Sequence, residues 1–293
     1  DKGTVLATSG WLSSLGVFLA ALIFKLLKTT LGVEANVILI VVGILTIAVT
    51  VYVMWLVPDA LARLVALGCD EISVLPLYPH YAMSTSLTTR LAVEAEVELL
   101  PAKPKLAFTD SFYADAGYIK ALAERIKADL PADYDYLLFS YHGLPERHLV
   151  KTDPTGSHCM KTDDCCQVDC AARPYCYKAQ VLQTSALCAQ YLDLPADKWG
   201  VAFQSRIGPG WLQPFTDEVV KALPSEGHKN IAVVCPSFVA DCLETLEEVS
   251  LRAREDFIEA GGEHFTYIPC LNEDSLWIDY LESLLVPSAL SPN

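Results

Sequence analysis

Charge is nearly missing from the first fifty-seven residues. Only Asp1, Lys2, Lys25, Lys28 and Glu34 carry it, and no cysteine or histidine occurs there. Basic residues are scarce in the whole chain, 21 Lys and Arg against 36 Asp and Glu, for a formal charge of −15. The opening segment sums to +1, so residues 58–293 carry −16 of that −15 total. A chain this acidic lacks the lysine and arginine that neutralise phosphates, which excludes nucleic acid as a partner. A solvated acidic surface is the simplest account of the charge, and it also suits a protein that attracts cations. At 293 residues the chain has room for about two domains.

What the opening segment does have is apolar length. Val5–Phe24 and Val37–Val57 contain no charged residue. Each is close to the ~20 residues a helix needs to cross the hydrocarbon core. Trp11, Tyr52 and Trp55 stand towards the ends, where interfacial aromatics collect. A secretory signal has a shorter apolar region and does not come as a pair. The expectation is a two-helix membrane hairpin over 1–57; a buried pair of soluble helices is the alternative. Lys25 and Lys28 in the loop are balanced by Lys2 and Arg63 outside it, so charge sets no orientation.

From Pro58 the pattern becomes α/β. "DALARLVALG" has apolar residues at helical spacing and closes on Gly68. "EISVLPLYPHY", "KLAFTD", "DYLLFSYHG", "WGVAFQS", "NIAVVCPS" and "HFTYIPC" read as strands, several of them continuously apolar, as strands covered on both faces are. "GYIKALAERIKADL", "PFTDEVVKAL", "TLEEVSLRAREDFIEAG" and "DSLWIDYLESLL" read as helices between them. Such alternation predicts parallel sheets flanked by helices. Ligands then bind beyond the carboxyl ends of strands. His142, Gln204–Ser205 and Pro236–Ser237 fall at such ends.

In "CPSFVADCLETLEE", Glu244 and Glu248 are four apart, so a helix puts both on one face. Their repulsion is relieved where a cation or proton passes; two solvated surface acids are the ordinary alternative. "PLYPHYAMSTS", "SYHGLPERH", "FQSRIGPGWLQPFT" and "CPSFVADCLETLEE" occur in that order at wide spacing. Together they resemble the ferrochelatase family, over roughly Pro58 to Leu285. The resemblance implies insertion of Fe(II) into a porphyrin, the closing step of haem synthesis. It implies a chelatase-like fold of two parallel-sheet domains with the porphyrin between them. Iron is implied as substrate, and protoporphyrin IX as its acceptor.

The same resemblance assigns roles. His142 corresponds to the histidine that accepts pyrrole protons and contacts metal, and Glu244 to the glutamate facing it. Glu248 corresponds to the next acid in a line that conducts metal or protons. Trp211, in the "GP…WL" segment, Tyr78 and Tyr81 of the proline-rich loop, and Ser140 of "SYHGLP" are implied porphyrin-side residues. The chemistry suits these types. Metal insertion releases two protons; an imidazole can take one, and a carboxylate opposite can steady the cation or take the second. Rigid aromatic walls can hold a bent macrocycle. Two positions depart from the family pattern: Cys242 stands where histidine is common, and Arg252 where an acid is common.

"CMKTDDCCQVDCAARPYC" packs Cys159, Cys165, Cys166, Cys170 and Cys176 into one stretch. Four thiolates suit a 2Fe–2S cluster or a structural zinc ion. The stretch looks like the internal insertion of bacterial ferrochelatases that hold a 2Fe–2S cluster. On that likeness the ligands are Cys159, Cys165, Cys166 and Cys176, with Cys170 able to replace either member of the adjacent pair. Cys69, Cys188, Cys235 and Cys270 read as small core residues.

The family's opening strand and glycine-rich turn have no counterpart; the apolar hairpin stands in their place. The expected organisation is therefore a hairpin 1–57, an incomplete N-terminal domain 58–136, and a C-terminal domain 137–293 with the insertion 159–176. The resemblance implies a catalytic part on the cytoplasmic side of the bacterial inner membrane, and it allows a homodimer. The rival is a non-catalytic fragment that binds an iron–sulfur group or a tetrapyrrole.

Overall fold

The computed structural model describes residues 56–285. The apolar runs of the expected hairpin, apart from residues 56 and 57, lie outside the described residues. Among the described residues no helix is long and apolar enough to cross a membrane. These residues form two compact units, 56–77 with 89–109 and 78–88 with 110–285.

The first unit holds helix α1 over 56–66, strand β1 (Glu71–Val74), most of helix α2 (Thr88–Glu98) and strand β2 (Lys105–Phe108). The two strands are parallel, in register from Glu71 opposite Lys105 to Val74 opposite Phe108. Its core is Leu61 and Leu64 from α1, Ile72 from β1, and Val93 and Val97 from α2. Those pairs sit three or four apart, so each helix turns one apolar stripe inward. Gly68 closes the turn after α1 at φ +79°, a left-handed conformation that glycine adopts without strain.

The second unit is built on four parallel strands, β3 (Tyr136–His142), β4 (Trp199–Gln204), β5 (Asn230–Val234) and β6 (His264–Ile268), in the spatial order β4-β3-β5-β6. Helices α3 (Ala116–Asp129), α4 (Glu146–Thr152), α5 (Tyr177–Tyr191), α6 (Thr216–Ala222), α7 (Arg254–Glu259) and α8 (Ser275–Leu285) connect and cover them. α7 continues a π-helical stretch, Glu244–Ala253. Every residue from Leu137 to Tyr141 is buried, which is why β3 is apolar without alternation.

Side chains still alternate between faces. Leu138, Ala202, Ile231 and Val233 pack with Val220, Val249, Ala253 and Phe257 on the side of α6 and α7. Ser140 and His142 therefore share that side, while Tyr141 points oppositely and bonds Ser185 of α5. Cys235 and Cys270 lie in this core and Cys188 is fully buried, as small apolar residues would.

From Pro58 on, the expected strands are all present, and so are the expected helices. α2, α4 and α5 were not anticipated. α5 buries Gln180, Thr184 and Ser185 beside Val181 and Cys188, so its inward face is half polar and shows no clean apolar period. α3, which lies before the boundary expected at 136/137, belongs to the second unit.

Candidate functional site

The carboxyl ends of β3 and β4 and the start of the π-helix meet at one place. His142 is opposite Gln204 in the sheet. Gln204 Nε2 donates to the carbonyl of Glu244 at 3.3 Å. Ser205, the next residue, donates its backbone N–H to a Glu248 carboxylate oxygen at 2.7 Å and its hydroxyl to the other. Ser205 has φ +61°, unusual for a residue with a side chain, and this turn aims both donors at one carboxylate. The end of β4 thus holds the backbone of Glu244 and the carboxylate of Glu248.

His142 is fixed through its backbone. Its N–H donates to Ser237 Oγ at 3.1 Å, and its carbonyl accepts from Tyr177 Oη at 2.9 Å. Its ring Nδ1 lies 2.7 Å from the carbonyl of Gly143. A carbonyl only accepts, so Nδ1 donates, and in the neutral ring the lone pair is on Nε2. Gly143 has no room for a side chain: a Cβ there would lie 2.8 Å from the Gln204 carbonyl and 3.3 Å from the Trp211 ring. Leu212 N–H donates to the Leu144 carbonyl at 3.0 Å and Glu146 N–H to the Gly210 carbonyl at 2.9 Å. The histidine motif and the "GPGWL" motif are therefore one hydrogen-bonded layer.

Ser140 lies within β3. It is fully buried, and its hydroxyl bonds Gln204 Oε1 at 2.6 Å and Thr216 Oγ1 at 2.8 Å. It supports Gln204 from behind. Tyr81 is half-buried, its N–H bound by Gln180 Oε1 at 2.7 Å and its ring edge-on to Tyr175. Tyr78 is half-buried in the same loop. At the departures from the family pattern, burial pushes the Cys242 thiol up to about 12, which keeps it protonated. Arg252 pairs with Glu247 at 2.8 Å and leaves Glu248 to Ser205.

The cysteine segment gathers four thiols. Cys165 and Cys166 sulfurs are 3.9 Å apart. Cys176, first at the head of α5, hydrogen-bonds with both Cys166 and Cys159. The bond from Cys166, helped by the N–H groups of Ala179 and Lys178 and by Cys159, brings Cys176 down to about 6 against the opposing effect of burial. Burial and then the neighbouring Cys176 charge hold Cys159 up. Cys170 is half-buried. The donors these four thiols offer are sulfur only. Among the described residues no group of three or more His, Cys, Asp or Glu side chains is placed to hold a metal ion.

One carboxylate shapes the segment, and the sequence reading passed over it. Asp153 accepts from Thr155 N–H at 2.8 Å, Thr155 Oγ1 at 2.7 Å, His158 N–H at 2.8 Å and Cys159 N–H at 2.9 Å. The Cys159 N–H is foremost among the groups that hold it well below the usual carboxylate range. The signal was present in "DPTGSHC", an aspartate followed by turn residues.

The fold is chelatase-like, with His142 and the Glu248 carboxylate at the carboxyl ends of its parallel strands. The likeness in fold extends to the solved structure of SirB from Bacillus subtilis with Fe3+, at TM-score 0.50 and 13% identity, covering 78% of this chain and 76% of that one. The family model described as Ferrochelatase matches residues 44–289. The chain belongs to the ferrochelatase family. It is 46% identical over 226 residues to the ferrochelatase of Pseudomonas fluorescens (strain Pf0-1), covering 76% of this chain and 66% of that protein. To the ferrochelatase of Stutzerimonas stutzeri (strain A1501) it is 42% identical over 238 residues, covering 80% and 70%. The chain spans about two thirds of the length of the relatives it matches. The family match starts at residue 44, so 44–57, expected outside the family pattern, falls within it.

Proposed function

We propose that this chain is a ferrochelatase that inserts Fe(II) into protoporphyrin IX and releases two protons. The observation that carries the reading is the corner around Gln204, which joins the strand position of His142 to the backbone of Glu244. With its Nδ1 proton committed to Gly143, the His142 ring has a lone pair at Nε2 for a pyrrole proton or for the entering metal. Glu244 supplies the second basic group. Glu248, tied to Ser205, is the next acid along the same helix and hands cations or protons on. Trp211, packed against Gly143, and Tyr78 and Tyr81 form aromatic surface for the macrocycle.

The test is anaerobic porphyrin metallation by the full chain in detergent, with Fe(II) as the metal. Turnover is expected, and His142→Ala should reduce kcat by about 10²-fold or more. A folded protein that binds porphyrin and never metallates it would instead be the non-catalytic tetrapyrrole-binding fragment.

Three finer readings go with this one. The sulfur-only donor set of Cys159, Cys165, Cys166 and Cys176 supports a 2Fe–2S group. When bound, such a group would tie the loop after Asp153 to the head of α5. An absorbance spectrum separates a coloured iron–sulfur protein from a colourless zinc protein. The apolar runs 5–24 and 37–57 support attachment to the cytoplasmic side of a bacterial inner membrane, testable by fractionation. A homodimer is the third, testable by light scattering in detergent.

A further inference from the structure

β3 runs on after β5 has stopped pairing with it. β5 reaches Val234, opposite Phe139, while β4 continues to Gln204, opposite His142. His142 thus ends the strand with a ladder on one side only. Gly143 N–H turns to that side and donates to the Gln204 carbonyl at 2.7 Å. Successive residues of a parallel strand turn their peptide groups to opposite sides, so the N–H and carbonyl of His142 face the side that β5 has left. Peptide groups shielded from water need partners as much as those in a sheet do.

Two hydroxyls take the place of the missing strand. Ser237 Oγ accepts from His142 N–H at 3.1 Å, and Tyr177 Oη donates to the His142 carbonyl at 2.9 Å. The Ser237 hydroxyl is also a hydrogen-bonding neighbour of Tyr177. Tyr177 gives its own proton to the carbonyl, so Ser237 is the donor in that contact. Both hydroxyls stand on anchored elements. Tyr177 is the first residue of α5 and is 6% exposed. Ser237 follows Pro236, whose carbonyl accepts from the fully buried Tyr118 of α3 at 2.6 Å. Phe238, next in the chain, sets its ring 6.1 Å from the imidazole.

We propose that Ser237 and Tyr177 are positioning residues: together they clamp the peptide of His142 and so set where its ring stands. Neither touches the reacting atoms. The link to metallation rests on the ferrochelatase reading, and the experiment separates the two.

The full chain is compared in detergent with Tyr177→Phe, Ser237→Ala, the two combined, and Ser237→Thr. Two quantities are read. One is kcat and KM for anaerobic metallation of porphyrin with Fe(II). The other is the NMR shift of the His142 ring in histidine-labelled protein, assigned by its loss in His142→Ala. Removing either hydroxyl should lower kcat about tenfold, leave KM for porphyrin within about twofold, and move the His142 signal. The double variant should be little slower than either single one, because both hydroxyls hold one peptide. Ser237→Thr keeps a hydroxyl and should return most of the rate. An unmoved His142 signal in the single variants would overturn the clamp. So would losses that multiply in the double variant, or a Ser237→Thr protein as slow as Ser237→Ala. A wild type that binds porphyrin without metallating it would sink the ferrochelatase reading. The clamp would then stand if the His142 signal still moved in both single variants, and fall if it did not.

Discussion

The strand-end corner and the cysteine segment hold their functional groups by opposite means. His142, Gln204 and Ser205 end strands of a four-stranded sheet, and their backbone partners are sheet and helix termini. The thiols of 159–176 are held by short turns around one carboxylate, Asp153, with only brief 3-10 turns between them. The first region is organised before any ligand arrives. The second crowds four thiols that repel one another once ionised, so it gains stability from whatever binds them. A chelation site must keep its geometry while metal passes through. A resident group can instead be part of the fold.

That contrast is broken most directly by one substitution on each side. His142→Ala should remove metallation by about 10²-fold or more while the thermal midpoint stays near that of the wild type. A large fall in the midpoint would mean that the imidazole holds the corner together. Asp153→Asn should do the reverse. It removes the charge that four donors share, so the Cys159 turn should open more often and its thiol should react roughly tenfold faster with a soluble disulfide. Cys188, fully buried in α5, is the internal control and should not respond. Equal acceleration at Cys188 would mean that the whole unit had loosened.

The two regions also differed in how far they could be read from sequence. The strand ends were legible because continuous apolar runs stop at His142, Gln204 and Cys235, and a parallel sheet exposes its carboxyl ends to ligands. The pairing of Glu244 with Glu248 was legible from spacing. That their helix is π-wound was not, since the apolar period does not distinguish a π-helix from an α-helix over so short a stretch. The inward turn of Ser140 was not legible from its motif; the alternation of β3 sets it, and Gln204 and Thr216 take its hydroxyl. α5 was missed because its buried face is polar by design of its contacts. The bonds of Tyr177, Gln180 and Thr184 join residues far apart in the chain, which no local pattern records.

A smaller effect sharpens the claim that the corner is preorganised. Gly143→Ala puts a methyl 2.8 Å from the Gln204 carbonyl, which is backbone and cannot swing away. Overpacking of this kind costs about 1–3 kcal/mol. Urea unfolding should show that loss, and Trp211 fluorescence should shift as its ring is pushed from position 143. A variant as stable as the wild type would mean that the corner yields.

The last test concerns His80, which lies on the joint between the regions. Its Nε2–H is bound by Thr184 of α5, its Nδ1 is buried without a partner, and the rings of Tyr113, Tyr141 and Tyr177 surround it. Burial therefore pushes it down to about 3, from an ordinary value of 6.5. Between those two values the unfolded chain holds a proton on this residue and the folded chain does not. Stability is thus fully present above pH 6.5 and falls as the pH drops towards 3, by up to about 1.4 kcal/mol per pH unit from this group. Denaturation in urea at pH 7, 6 and 5 should give a steeper loss for the wild type than for His80→Phe, by about that slope. The loss should be felt first where α5 meets the 78–81 loop, because that is where the charge would appear. Parallel pH profiles for the two proteins would mean that His80 takes its proton without breaking the joint, and α5 would then be free to move without the loop.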